Sequence, residues 1–271
     1  MSVLFLSAGL LAAAAAVAMA AAWWISERTG RSGWADTIWS FAVGALGSLA
    51  ALLPVTDEAL SPRAFLVALM AAFWSLRLGL HIARRTATGP EDARYAWLRR
   101  QWGENASSRL FWFLQIQAAA AFLLAGCIGL AARRPGPLDA GDVLGVGLMM
   151  LAIAGEGLAD RQLRHFKSDP ANHGRVCDTG LWAVSRHPNY FFEWLGWCAY
   201  VAMAVDLSGD YPVGWLVVVG PAFMYWLLVH VSGIPPLEAH MERSRGAAFA
   251  HYRRRVSAFW PWPGRDMRNS R

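Results

Sequence analysis

Apolar residues in this chain fall into long runs separated by short polar stretches. A helix needs roughly 20 such residues to cross a hydrocarbon core. Seven runs approach or exceed that length, at about 3–25, 35–53, 64–84, 109–131, 142–160, 190–206 and 213–231. The pattern predicts an all-α, polytopic integral membrane protein with seven transmembrane helices. The fourth and seventh runs are the clearest, and the sixth is short. The first has the length of a signal peptide, but no Lys or Arg precedes it, so it is read as a span. One membrane domain is expected over 1–271. Helices 1–4 fill 1–131, and helices 5–7 with a polar tail fill 132–271.

Charge adds an orientation. The polar stretches 26–34, 85–108, 161–189 and 232–271, with flanking Arg84 and Arg109, hold 21 of the 25 Lys and Arg. The alternate stretches 54–63, 132–141 and 207–212 hold three, and Arg77 lies within the third run. By the positive-inside rule the basic stretches and the C-terminal tail face the cytoplasm, and the N-terminus faces out. The net charge of +6 then reflects orientation and contact with anionic membrane lipid. No nucleic-acid module is present, so no nucleic-acid partner is expected. The 56% hydrophobic content excludes disorder. Cys127, Cys177 and Cys198 form no CxxC or even framework, so neither a disulfide nor a metal site is expected.

Polar groups within the spans cost about 2.5–3.5 kcal/mol each, so each needs a partner or a cavity. Four places break the apolar pattern. Glu156, Asp160, Arg164 and Lys167 leave the fifth run within about 80° of one another on a helix. They form either a ladder of i,i+4 ion pairs or a face that holds a polar ligand. Arg186, His187, Asn189 and Tyr190 surround Pro188, which suits the first turn of a helix, and Glu193 follows one turn later. That helix start would attract an anion, or it is a basic anchor with an aromatic belt. Trp74, Arg77, His81 and Arg84 share a face of the third run. Glu91, Asp92, Arg94 and Tyr95 follow it in a charged loop, of either ordinary or functional kind. Asp36 lies near Trp34 and Trp39 at the start of the second run. Desolvation there favours the neutral acid, a candidate proton donor, although an acid in a first turn also serves as a cap.

The tail begins at Pro235-Pro236 and carries Glu238, His240, Glu242, Arg245, Tyr252, Arg253 and Arg254. It predicts a short amphipathic cytoplasmic helix, lying on lipid or closing over the site. Gly145 and Gly147 give a GxG, but Met150 takes the third glycine position, so no Rossmann fingerprint exists.

The run from Glu156 to Lys167, FKSDPAN (166–172), GLWAVSRHPNY (180–190), Glu193, SGIPPLE (232–238) and HYRRR (251–255) resemble the C-terminal domain of the steroid 5α-reductase family. EDARY (91–95) and Asp36 resemble patterns of its bacterial branch. The likeness is strongest over about 140–262. It implies a seven-helix, NADPH-dependent oxidoreductase that reduces the C=C bond of a 3-oxo-Δ4 steroid or similar enone lipid, in a bacterial inner membrane with its site open to the cytoplasm. By motif it assigns Glu156, Asp160, Arg164, Asn189 and Glu193 to the cofactor, and extends to Lys167, Arg186, His187, Tyr190, Glu238, Tyr252 and Arg254. Arg94 could pair with the cofactor's phosphates. Animal members carry Asn where Glu156 stands. They activate the ketone with a Glu and a Tyr. Asp36 is the analogue of that Glu, and His81 or Tyr95 of the Tyr. RHPxY also occurs in membrane isoprenylcysteine methyltransferases that use S-adenosylmethionine. That activity, or a non-enzymatic lipid carrier or transporter, is the alternative.

Overall fold

The structure is a computed structural model that describes residues 2–54 and 59–262, with side chains from residue 5 onward. It is all-helical, with no strand among the described residues. The helices are α1 (Ser2–Thr29), α2 (Gly33–Leu52), α3 (Pro62–Thr88), α4 (Ala93–Trp102), α5 (Ala106–Ala132), α6 (Ala140–Ser168), α7 (Pro188–Ala204), α8 (Val219–Trp226) and α9 (Ile234–Arg255). Among the described residues, six helical segments are long and apolar enough to cross a membrane. They are carried by α1, α2, α3, α5, α6 and the stretch around α8. The expected sixth run forms α7, whose 17 residues extend only about 25 Å.

The seventh run differs from the single helix expected. A 3-10 segment, Pro212–Val218, leads into α8, and a π-helical turn, Leu227–Val231, ends it. Pro221 lacks the N–H that an α-helix would bond to residue 217, so regular α structure does not extend back through that turn. At the other end, the amides of Ser232 and Gly233 both bond to the Leu227 carbonyl, which widens the last turn. The sequence reading also missed α4, which is short and polar.

Two compact units divide the chain. The first holds residues 1–145 and 200–220, and the second 146–199 and 221–271. The division falls within α6.

In the first unit, α2 packs between α3 and α5 through small residues. A Cβ on Gly44 would stand 2.0 Å from the Ser75 Cβ of α3, and one on Gly47 would stand 2.4 Å from Ile128 of α5. Without a hydrophobic force between helices in lipid, such close contact is what joins them. Ser75 donates to the Ser40 carbonyl at 2.9 Å, and Ser48 donates to the Ala68 carbonyl at 2.9 Å. These bonds satisfy hydroxyls that lipid could not.

In the second unit, α7 lies against α6. The Phe192 ring covers Gly155, and Gly196 meets Ala152 and Met149.

Candidate functional site

The charged loop after α3 is an organised motif, not a solvated link. Asp92 caps α4 by accepting from the Arg94 amide at 2.9 Å. That cap sets Arg94 and Tyr95 in the first turn of α4. Glu91 reaches back to the start of α2 and accepts from the Ser32 amide at 3.0 and 3.1 Å. Together these contacts bring α4 to the first turn of α2, where Asp36 sits. The Tyr95 hydroxyl donates to one Asp36 oxygen at 2.7 Å, and the Arg94 guanidinium to the other at 2.5 Å. Tyr95 is buried, and Asp36 and Arg94 are each about one-fifth exposed.

Arg94 forms an ion pair with Asp36, which acts in this geometry as an acceptor between two donors. Of the two partners expected for Asp36, Tyr95 meets it directly. His81 is half-buried on α3, where exposure rises from buried Trp74 through half-buried Arg77 to exposed Arg84. Arg94, expected among the cofactor residues, clamps Asp36 and Asp92 in the first unit. Burial opposes the charge on Asp92, but bonds from Arg94 and the charges of Arg94 and Arg85 hold its carboxyl below the ordinary range.

The second unit is organised around the stretch 180–187. Gly180 adopts φ +61 against the Gln162 side chain, a backbone open mainly to glycine. Gln162 then accepts from the Leu181 amide at 3.0 Å, and Trp182 donates to the Ala159 carbonyl at 3.0 Å. Gln162 thus meets residue 181 while Gly155 meets residue 192. The intervening chain, with Arg186, His187, Asn189 and Tyr190, therefore runs along the part of α6 that carries Glu156 and Asp160. Pro188 begins α7, as its fixed φ favours.

The tail helix closes on this stretch rather than standing apart as a surface helix. It bends at Gly246, where φ is 49. Beyond the bend, Phe249, Tyr252 and Val256 bury themselves with Val176 and Met241. The Tyr252 hydroxyl donates to the Trp182 carbonyl at 2.6 Å. Arg186 donates to Glu238 at 2.7 Å and to the Val256 carbonyl, while its amide donates to the Ser257 carbonyl at 2.8 Å. His187 contacts the same Glu238 oxygen at 3.2 Å and stacks on Tyr190 with ring centres 5.6 Å apart. Burial, the larger influence, pushes the His187 imidazole below its ordinary pKa despite Glu238, and Arg186 adds to the effect. Arg186, Glu238 and Tyr252 thus brace the tail against the start of α7. Arg254 is exposed.

Along α6 the polar face is graded in depth. Glu156 and Asp160 are 5% and 7% exposed, whereas Arg164 and Lys167 stand at the surface. Glu193 of α7 is buried and accepts from Trp197 at 3.2 Å. Asn189 and Tyr190 are half-buried. The order is acid, acid, base, base from the interior outward. Such a face can accept from hydroxyl or amide groups at depth and pair with anionic groups at the surface.

A family model described as "Protein of unknown function (DUF1295)" matches residues 22–256. The chain belongs to the DUF1295 family. No curated protein and no solved structure matches it. The matched region of this DUF1295 chain contains every side chain described above as part of the two clusters.

Sequence reasoning missed one buried charge network. Arg63 and Asp142 are almost wholly buried and form a two-pronged ion pair, both bonds at 2.8 Å. Arg63 also donates to the carbonyls of Arg134 and Pro137, and Arg134 joins Asp142 and Asp139. The available signal was that Arg63 stands beside a predicted span in a segment otherwise without Lys or Arg. Its partner is 79 positions away, a pairing that local spacing does not reveal.

Proposed function

We propose that this chain is an NADPH-dependent membrane oxidoreductase that reduces the C=C bond of an enone lipid, such as a 3-oxo-Δ4 steroid. The depth-graded face of α6 carries the reading. A nicotinamide dinucleotide joins neutral ribose and carboxamide groups to several phosphates, and the order of charges on this face suits both. Glu156, Asp160, Glu193 and Asn189 would take the hydroxyl and amide groups. Arg164, Lys167 and Arg254 would pair with phosphate. Arg186, His187, Glu238, Tyr190 and Tyr252 would keep the start of α7 and the tail in place. When bound, the cofactor supplies a hydride.

The first unit carries the groups for the ketone. Reduction of an enone places negative charge on its oxygen, and a hydrogen bond aimed there stabilises that charge. Tyr95 would donate it, its single proton turning from Asp36 to the ketone oxygen when substrate binds, and Arg94 would keep Asp36 paired once that proton has turned away. We further propose that α7 is the seventh span, that the N-terminus lies outside, and that the dinucleotide face opens to the cytoplasm of a bacterial inner membrane.

The test is fluorescence titration of purified protein in detergent with NADPH and, separately, with S-adenosylmethionine. Saturable NADPH binding, weakened tenfold or more by Asp160→Ala, is expected. Saturable binding of S-adenosylmethionine without NADPH binding would assign a methyltransferase instead. Binding of neither, with a lipid retained on the protein, would assign a carrier.

A further inference from the structure

We infer that Gln117, on α5, is a specificity-determining residue that recognises a hydrogen-bond donor on the lipid beside its ketone. The inference deepens the proposed enone reduction and rests on it. The Gln117 carboxamide nitrogen lies 3.5 Å from the Tyr95 oxygen, a long contact. Its carboxamide oxygen is buried and has no hydrogen-bond partner among the described residues. Trp39 fixes the backbone there by donating to the Gln117 carbonyl at 3.0 Å.

The carboxamide has one consistent orientation. Tyr95 gives its proton to Asp36, which Arg94 already pairs. Tyr95 has a single proton, committed to Asp36 here and to a ketone oxygen when one is bound, so toward Gln117 its oxygen only accepts, and Gln117 turns its N–H to Tyr95 and its own oxygen away. Donation from Gln117 also polarises the Tyr95 hydroxyl and makes it a stronger donor. The remaining oxygen is an acceptor in an apolar helix, where nothing else satisfies it.

Both ends of a carboxamide lie close together. A ligand whose carbonyl takes the Tyr95 bond would meet the Gln117 oxygen with a group attached near that carbonyl. The fitting class is a lipophilic enone with a hydroxyl on the carbon next to its ketone. A plain enone leaves the Gln117 oxygen unpaired, and sites built around such a bond discriminate against ligands that lack the donor.

Androst-4-ene-3,17-dione and its 4-hydroxy derivative differ by that one hydroxyl. Their affinities can be compared by fluorescence titration of the full chain, with and without saturating NADPH. The wild type should bind the hydroxylated ketone about tenfold or more tightly. Gln117→Met, of similar length and apolar, should abolish the preference between the two ketones. Equal wild-type affinity for the two ketones overturns the inference. That comparison requires no variant to fold. A preference that persists in Gln117→Met also overturns it. If neither ketone binds, the inference fails. NADPH titration of the same sample then shows whether the cofactor half of the proposed reaction fails with it.

Discussion

Tyr95 is the residue whose chemistry is most exposed to test. Its hydroxyl meets Asp36 at 2.7 Å inside a buried setting. Tyr95→Phe removes the proposed donor while keeping the ring against Phe113. Enone turnover should fall about 10²–10⁴-fold, the usual scale for loss of an acid catalyst, with NADPH affinity unchanged. His187 makes a second, pH-dependent claim. Its folded pKa lies below the ordinary 6.5, so the fold favours the neutral ring. That stability is fully present above about pH 6.5 and is lost as pH falls through this value toward the folded one. Thermal unfolding should therefore drop between about pH 7.5 and about pH 5.5, and drop less in His187→Gln. Asp92 acts in the same direction at lower pH. Its depressed carboxyl stabilises the fold above its ordinary value of 3.8, and that contribution is lost in stronger acid.

Among the elements, α2 depends most on small side chains. Gly44 admits Ser75 so closely that a methyl group would overlap its Cβ. Gly44→Ala should lower stability by about 1–3 kcal/mol through overpacking, measured as an earlier unfolding transition in detergent. The run of apolar residues in α2 is plain in the sequence, yet nothing in it says which glycines face a neighbour. Similarly, α4 has no apolar stripe to announce it. Its start is visible only as Asp92 before Arg94 and Tyr95, a cap that becomes meaningful once Glu91 and Asp36 fix α4 to α2.

At the scale of the molecule, Arg63 and Asp142 connect α3 with α6 inside the first unit. Among the described residues, removing Arg63 leaves the buried Asp142 carboxylate only its longer ion pair, with Arg134. Arg63→Met should cost about 3–5 kcal/mol. Adding Asp142→Leu should recover much of that loss, because no charge is then left unpaired. A double-mutant cycle read by thermal unfolding measures the coupling.

Most of the span architecture follows from the sequence alone. Water and lipid select for long apolar runs, and this selection acts on each segment by itself. The same locality made Pro188 a helix start and set Glu156, Asp160, Arg164 and Lys167 on one face. Pairings between distant segments were decided only in three dimensions. Tyr95 and Arg94 reach Asp36 directly, Arg186 turns to Glu238, and Tyr252 caps a carbonyl 70 positions away. Each depends on which helix faces reach each other within a unit, a matter of packing that hydrophobic periodicity does not encode.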